Sequence, residues 1–153
     1  MHGFTIGAAN AEDIPALQSL LATLFSIEVD FHPDAERQRR GLELLLRDTD
    51  RAVVLVARDA KGAVAAMASA QLVVSTAEGA LSAWIEDVVV AEGIRRMRIG
   101  EALLAALLDW AGENGATRAQ LLADRTNNPA LDFYRRLGWE PTQLDAWRVR
   151  LRK

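Results

Sequence analysis

The chain has 153 residues and a net charge of −3; half of its residues are hydrophobic and a quarter are charged. Such a composition is typical of one globular domain with a core of its own, and the negative charge argues against nucleic acid as the main partner. There are two histidines and no cysteine, which excludes disulfides, thiolate metal sites and a cysteine nucleophile and leaves little for a histidine-based centre.

The sequence also lacks the signals of a membrane or exported protein. No apolar run reaches the roughly 18 residues that a membrane-spanning helix needs. The N-terminus lacks the basic region and apolar core of a signal peptide. We therefore expect a cytoplasmic protein that uses no metal and binds neither a membrane nor nucleic acid.

Hydrophobic spacing predicts a strand and two helices at the start of the chain. Leucines recur at helical spacing after Asn10, which can cap the first helix, and Asp34 can cap the second. The predicted ranges are a strand over 4–8, a helix ending near Phe25, a loop over 26–33 and a helix over 35–47.

The middle of the chain predicts an antiparallel hairpin followed by a β-α-β unit. The hairpin joins strands 52–58 and 63–75 through a short polar turn. The β-α-β unit consists of a strand over 81–91, a helix over 99–114 and a buried strand over 119–123. Such a unit takes a parallel, right-handed crossover.

The C-terminal part predicts a helix over 129–137 and an antiparallel strand pair, 139–142 with 147–151. The complete order is β-α-α-β-β-β-α-β-α-β-β. It predicts an α/β fold of one domain over 1–153, with a mixed sheet and helices on both faces.

Two segments of the chain carry its chemistry. Asn127 to Trp139 holds the only tyrosine, on a short helix that Pro129 can begin and Gly138 can end. Its pattern is Asn-x-x-Ala-x-x-Phe-Tyr-x-x-x-Gly-aromatic. Val88 to Gly100 is a strand, a basic loop and a helix start. Together the two segments resemble the cofactor-binding half of GNAT acetyltransferases over residues 84–140. The resemblance implies the GNAT fold, whose sheet is split by a cleft for acetyl-coenzyme A.

The basic loop precedes the start of helix 99–114, where unpaired N–H groups and partial positive charge favour a pyrophosphate. A solvated basic turn is the alternative for these residues alone. The loop resembles the GNAT pyrophosphate signature, an Arg or Gln, two residues, Gly, one residue, then Gly or Ala. Arg98 replaces the middle glycine, and a positive φ there would cost an arginine about 1–2 kcal/mol. The resemblance assigns pyrophosphate binding to Arg95, Arg96, Met97, Arg98, Ile99 and Gly100.

The tyrosine helix has an implied role at the thioester. By the resemblance, Asn127 holds the pantetheine arm, Ala130 leaves room for it, and Tyr134 directs its hydroxyl at the coenzyme sulfur. Attack of an amine on a thioester expels a thiolate, and a phenol with pKa near 10 can hydrogen-bond to or protonate it. A core tyrosine packed beside Phe133 is the alternative.

Glu86 and Asp87 are adjacent acids inside an apolar strand, where unpaired carboxylates are costly. A protonated acceptor amine must lose a proton, and a carboxylate can take it directly or through a water. The segment resembles the spermidine/spermine acetyltransferases, which implies the base role for Glu86. Pairing with an arginine or capping a backbone group is an equally open structural role for either acid.

Strand alternation predicts which side chains share a face with Glu86. It puts Trp84, Glu86, Val88 and Val90 on one face and Ile85, Asp87 and Val89 on the other. The resemblance further implies that the backbone at Val88, Val89 and Val90 binds the pantetheine amides, at the point where strand 81–91 diverges from strand 119–123.

The predicted function is direct transfer of an acetyl group from acetyl-coenzyme A to a primary amine. GNAT proteins take the acceptor near the first two helices, which implies an acceptor region at Phe25, Glu28, Asp30 and Phe31; a variable surface loop is the alternative there. A non-catalytic acyl-coenzyme A binder or an interaction module of the same fold are the competing functions. The strand containing Trp147 can pair across a homodimer.

Overall fold

A computed structural model describes residues 3–27, 34–94 and 98–152 of the chain. The chain forms two compact units, Met1–Leu121 and Leu122–Lys153. Within the described residues no helix is long and apolar enough to cross a membrane. The first unit holds β1 (Thr5–Ala8), α1 (Ile14–Ile27), α2 (Ala35–Arg47), β2 (Ala52–Arg58), β3 (Val64–Ser75), β4 (Ala80–Val90), α3 (Ile99–Glu113) and β5 (Ala116–Leu121).

The entry into α1 is fixed by a capping box. The Asn10 side chain accepts from the Glu12 N–H at 2.9 Å, and Asp13 accepts from the Asn10 N–H at 2.8 Å, around a 3-10 turn over Ala11–Asp13. Arg58 at the end of β2 donates two bonds to Asp13, at 2.8 and 2.6 Å. The Arg58 guanidinium holds the pKa of the Asp13 carboxyl below its ordinary value. These contacts tie the start of α1 to the sheet. The helix then continues to Ile27, two residues beyond the predicted end.

The five strands pair in the order β1-β2-β3-β4-β5. The first three pairings are antiparallel, and β4 with β5 is parallel. The parallel pair is the one that α3 connects, because parallel strands need a crossover long enough to hold a helix. The predicted mixed sheet is therefore confirmed.

Helices cover both faces of this sheet, also as predicted. On one face, Val54, Val56, Met67 and Val89 pack against the leucines of α1 and Leu42 of α2. On the other face, Leu72 and Ala83 pack against Ala111 of α3. We name these the α1/α2 face and the α3 face. The strands are apolar on both sides because each side is buried by helices.

The second unit holds α4 (Asn128–Arg136), and the strand pair predicted beyond it is wrong. The pair 139–142 with 147–151 is not formed, since none of those residues is in a strand. Trp147 and Leu151 are 94% and 93% exposed. Alternation between apolar and arginine residues produced the prediction, but a strand needs a partner ladder and a covered face, and an isolated hairpin is marginal. Likewise β5 covers Ala116–Leu121 rather than 119–123, and Leu122 is 60% exposed.

Candidate active site

A β-bulge interrupts β4 beside the predicted catalytic acid. Ser69 pairs with Glu86 and Met67 with Val89, so two steps along β3 correspond to three steps along β4. Within the bulge, Asp87 has a left-handed φ of 56°. Aspartate tolerates this conformation better than branched residues do. The extra residue increases the local twist and bends the strand.

The bulge corrects the predicted division of side chains between the two faces. Val89 joins Met67 in the cluster under α1 and α2, although simple alternation places it opposite Glu86. Glu86 pairs with Ser69 and Val90 with Ala66, which are three positions apart on β3 and so lie on opposite faces. Glu86 and Val89 therefore share the α1/α2 face, and Val90 lies on the α3 face. Alternation fails here because the bulge adds one residue.

Glu86 is exposed, but its carboxylate and its main-chain carbonyl each accept a hydrogen bond. The Trp84 indole Nε1–H donates to Glu86 Oε1 at 2.8 Å. The Ser69 hydroxyl, which is 1% exposed, donates to the Glu86 main-chain carbonyl at 3.1 Å. A proton acceptor at this position thus has a fixed backbone and one oriented carboxylate oxygen.

The pairing between β4 and β5 ends just before the bulge. Its last register pair is Ile85 with Leu121, whereas β4 continues through Val90. The last five residues of β4 therefore extend beyond its ladder with β5. Val88 and Val90 are half-buried and Val89 is buried in this extension. The ladder ends because β5 itself ends at Leu121, so the predicted divergence of the two strands stays a prediction.

The N-terminus of α3 has an unusual capping residue. Arg98 is the N-cap, with φ 57° and ψ 21°, and its side chain makes no capping bond. The chain thus adopts the left-handed conformation at the position where the signature has glycine, despite the cost to an arginine of about 1–2 kcal/mol. Ile99 is fully buried and Gly100 is half-buried. Arg95, Arg96 and Met97 lie outside the described residues.

In the second unit, the start of α4 is held by its own polar residues. Asp124 accepts from the Thr126 N–H at 2.8 Å and hydroxyl at 2.7 Å, and these bonds hold the pKa of Asp124 below its ordinary value. Asn127 caps the helix by accepting from the Ala130 N–H at 3.2 Å. Pro129 follows the cap, as the sequence predicts. The Asn127 side-chain oxygen thus has a structural role within its own unit.

Tyr134 lies in an aromatic group on α4. Its ring is half-buried, 5.4 Å from the Phe133 ring in an edge arrangement and 5.9 Å from the Trp139 ring. Both contacts are typical of aromatic packing. Ala130, one turn earlier, is half-buried. The rings fix the tyrosine on the helix and agree with either a core or a catalytic role.

The predicted acceptor region is only partly described. Phe25 lies in the last turns of α1 and packs against the core cluster rather than lying in a loop. Glu28, Asp30 and Phe31 lie outside the described residues. On the same face, a cavity of about 460 Å³ lies between the end of α2 and the sheet; it is lined by Leu44, Leu45, Arg47, Asp48, Ala52 and Gln71.

Sequence reasoning missed two contributors to this site. Trp84 and Ser69 both hydrogen-bond to Glu86. Ser69 lies outside the segments singled out in the sequence, and Trp84 was predicted only to share a strand face with Glu86. The i, i+2 spacing of Trp84 and Glu86 was the available signal, because such residues share a face of a strand. The contact with Ser69 could be predicted only if the register between β3 and β4 were known. No group of three or more potential metal-binding side chains is present in the described part of the chain.

Residues 14–139 match the model of the acetyltransferase (GNAT) family. The streptothricin acetyltransferase of Streptomyces lavendulae is 40% identical over 70 residues, which is 42% of this chain and 37% of that protein. The match therefore spans little more than a third of that relative's length.

Solved structures share the fold at low identity. A possible acetyltransferase from Clostridium difficile 630 superposes with a TM-score of 0.86 at 17% identity, over 99% of this chain and 100% of that one. Glucosamine-6-phosphate N-acetyltransferase from Arabidopsis thaliana gives 0.76 at 22%, over 95% and 97%. An aminoglycoside acetyltransferase from an uncultured soil metagenomic sample, in complex with sisomicin, gives 0.77 at 23%, over 97% of each chain. The family match and the shared fold together place this chain in the GNAT acetyltransferase family.

Proposed function

We propose that this protein transfers an acetyl group directly from acetyl-coenzyme A to a primary amine. The observation that carries the proposal is the end of the β4–β5 ladder at Ile85 and Leu121, followed by five further residues of β4 that contain the bulge. An extended pantetheine arm can add to such a strand through main-chain hydrogen bonds. Val88, Val89 and Val90 are the residues proposed to bind it.

The diphosphate of the coenzyme is proposed to bind at the N-terminus of α3. The first N–H groups of this helix have no partner within the helix, and they carry its partial positive charge. The left-handed Arg98 gives the backbone the turn that a glycine would give in the family signature. Arg95, Arg96, Met97, Ile99 and Gly100 complete the proposed binding loop.

Glu86 and Tyr134 are proposed to act as base and acid. Glu86 takes the proton of the acceptor ammonium, and the amine nitrogen then forms a bond to the thioester carbonyl carbon. As the carbonyl re-forms and the carbon–sulfur bond breaks, the Tyr134 hydroxyl protonates the departing thiolate. The extra proton that remains on the nitrogen then passes through solvent to the Tyr134 phenolate, and Glu86 releases its own proton to solvent. Asn127 and Ala130 are proposed to border the pantetheine arm, as the family resemblance implies.

The acceptor is proposed to enter on the α1/α2 face. Glu86 lies on this face, and the cavity between α2 and the sheet has Gln71, the cross-strand partner of Trp84, in its wall. Asp48 and Glu86 give this side carboxylates that favour a cationic amine, while Arg47 favours an anionic group on the same molecule. Phe25, Glu28, Asp30 and Phe31 are proposed to border the acceptor as well.

The test is an acetylation assay with the full chain. Acetyl-coenzyme A is incubated with streptothricin, sisomicin, glucosamine 6-phosphate or spermidine, and thiol release and product mass are measured. We expect amine-dependent thiol release and a product heavier by one acetyl group for at least one acceptor. Absence of both for every amine would contradict the proposal.

One observation favours a second function, a non-catalytic acyl-coenzyme A binder. An arginine in a strained N-cap departs from the family signature at the pyrophosphate loop. Calorimetry with acetyl-coenzyme A separates the two functions, because a binder gives heat of binding without thiol release. No binding at millimolar coenzyme would instead indicate an interaction module. A cytoplasmic location and a homodimer remain part of the proposal.

A further inference from the structure

Trp84 and Glu86 are joined by a hydrogen bond between their side chains. Their side chains project from the same face of β4, two residues apart, and join through Trp84 Nε1 and Glu86 Oε1 at 2.8 Å. An indole N–H is a donor only, whereas a carboxylate accepts at two oxygens. The bond therefore occupies Oε1 and leaves Oε2 with its acceptor capacity. A hydrogen bond to a charged acceptor is among the stronger ones in proteins.

The Glu86 main chain is held in place, but its carboxylate is free to rotate unless a neighbouring side chain such as Trp84 restrains it. The main chain of Glu86 is held by the buried Ser69 hydroxyl and by the start of the bulge. Its carboxylate, by contrast, is at an exposed position, where a glutamate samples several rotamers and restricting them costs free energy. A half-buried indole next to it has far less freedom.

We propose that Trp84 is a positioning residue, whose indole N–H holds the Glu86 carboxylate so that Oε2 is presented to the acceptor amine. The inference rests on the proposed function, in which Glu86 is the base. It assigns to Trp84 an effect on turnover that passes through Glu86, rather than direct contact with the acceptor. An aromatic platform that contacts a cationic acceptor is the competing role.

The first test needs no substrate. In a ¹H–¹⁵N NMR spectrum, the indole resonance of Trp84 is identified by its loss in Trp84→Phe. We expect Glu86→Gln to move this resonance upfield and to leave those of Trp110, Trp139 and Trp147 in place. Glutamine keeps an acceptor oxygen and alanine does not, so Glu86→Ala should move the resonance further. A Trp84 resonance that is unmoved in both variants would show that the bond does not exist in solution, and the proposal would then be wrong.

The second test is a double-mutant cycle with the acceptor that gives the highest turnover. We expect Trp84→Phe to lower kcat about tenfold, with KM and coenzyme affinity within about twofold, since a bond to a charged group is lost. In the Glu86→Gln background the same substitution should change kcat less than about twofold. An equal loss in both backgrounds would indicate a structural role, and a higher KM at unchanged kcat would indicate acceptor contact; either result overturns the proposal.

Matched variants separate the donor from the ring. Trp84→Gln keeps an N–H donor, and Trp84→Met has a similar size without one, so we expect the glutamine variant to retain several-fold more kcat. Trp110→Phe, on α3, is the control and should change little in either background. If Glu86→Gln leaves kcat unchanged, the base role itself fails. If Glu86→Gln lowers kcat while Trp84→Phe does not, only the inference about Trp84 fails.

Discussion

The two halves of β4 show how one strand serves both the fold and the site. From Ala80 to Ile85 it pairs with β3 and β5, and Ser82, Ala83 and Ile85 are at most 2% exposed. From Glu86 to Val90 it extends past β5, contains a bulge and presents an exposed acid. The difference teaches that the regular half contributes buried, fully paired residues to the fold, while the irregular half has the backbone and the carboxylate that we propose for ligand binding and catalysis.

The largest expected effect lies in the irregular half. Glu86→Gln keeps the size of the side chain but removes its proton-accepting charge, so kcat should fall about 10²- to 10³-fold. The unfolding free energy and the coenzyme Kd should stay unchanged. Steady-state kinetics, calorimetry and urea unfolding measure the three. Glu113→Gln, at the end of α3, is the control and should keep its turnover. Retained turnover in Glu86→Gln would show that the irregular half of β4 does not supply the base.

A substitution in the regular half should have the opposite profile. Ile85→Ala removes buried methyl and methylene groups from a side chain that is 1% exposed, and the free energy of unfolding should fall by about 3 kcal/mol. Turnover per folded molecule should be retained. Urea unfolding measures the loss, and Ile85→Val should lose only about 1 kcal/mol. A stable variant with poor turnover would show that both halves serve the chemistry.

Tyr134, the residue proposed as the acid, extends the comparison to the second unit. Tyr134→Phe preserves the ring that contacts Phe133 and Trp139 and removes only the hydroxyl. We expect kcat to fall about 10- to 100-fold, with coenzyme affinity unchanged, because the thiolate loses its proton donor. Turnover and calorimetry measure the two effects. Unchanged turnover would leave Tyr134 as a packing residue.

The bulge itself is tested by its left-handed residue. Asp87→Val should lower the free energy of unfolding by about 1–2 kcal/mol, since a β-branched side chain is strained at φ 56°. Asp87→Asn is the control, because asparagine tolerates this conformation, and it should retain both stability and turnover. A large loss of turnover in Asp87→Asn would identify Asp87 rather than Glu86 as the base.

The smallest effect is expected at the second left-handed residue. Arg98→Gly removes the strain of an arginine at φ 57° but adds chain entropy to the unfolded state, for a net gain of about 0.5–1 kcal/mol in unfolding free energy. Coenzyme affinity should fall a few-fold, more at low salt than at high salt. Arg98→Ala should lose the same affinity without the gain in stability. Equal unfolding free energies for Arg98→Gly and Arg98→Ala would show that the left-handed backbone at residue 98 is not strained by a side chain.

Local signals predicted much of the first unit. The caps Asn10 and Asp34 and the hydrophobic spacing gave both early helices, and the bounds of β2 agree with the prediction. In the second unit, Pro129 gave the start of α4 within one residue, whereas the capping role of Asn127 was not predicted. These features are decided by neighbouring residues in the sequence, which is why a pattern can indicate them.

The features that the sequence did not predict depend on contacts between residues that are distant in the sequence or on side-chain conformations. Val88, Val89 and Val90 are all apolar, so the sequence holds no sign that the alternation changes phase at Asp87. The bond between Trp84 and Glu86 depends on the side-chain conformations, and the Ser69 contact depends on register. The prediction of a final strand pair was wrong for a related reason, because alternating apolar residues near Trp147 do not specify which strand they would pair with.

The spacing of the register pairs around the bulge has a consequence for how such a site can arise. Ser69–Glu86 and Met67–Val89 would both persist if β4 were one residue shorter between them, and the strand would then be an ordinary ladder member. Gain or loss of a single codon in this stretch would therefore convert a plain sheet edge into a kinked one, or back, while sparing the packing on either side.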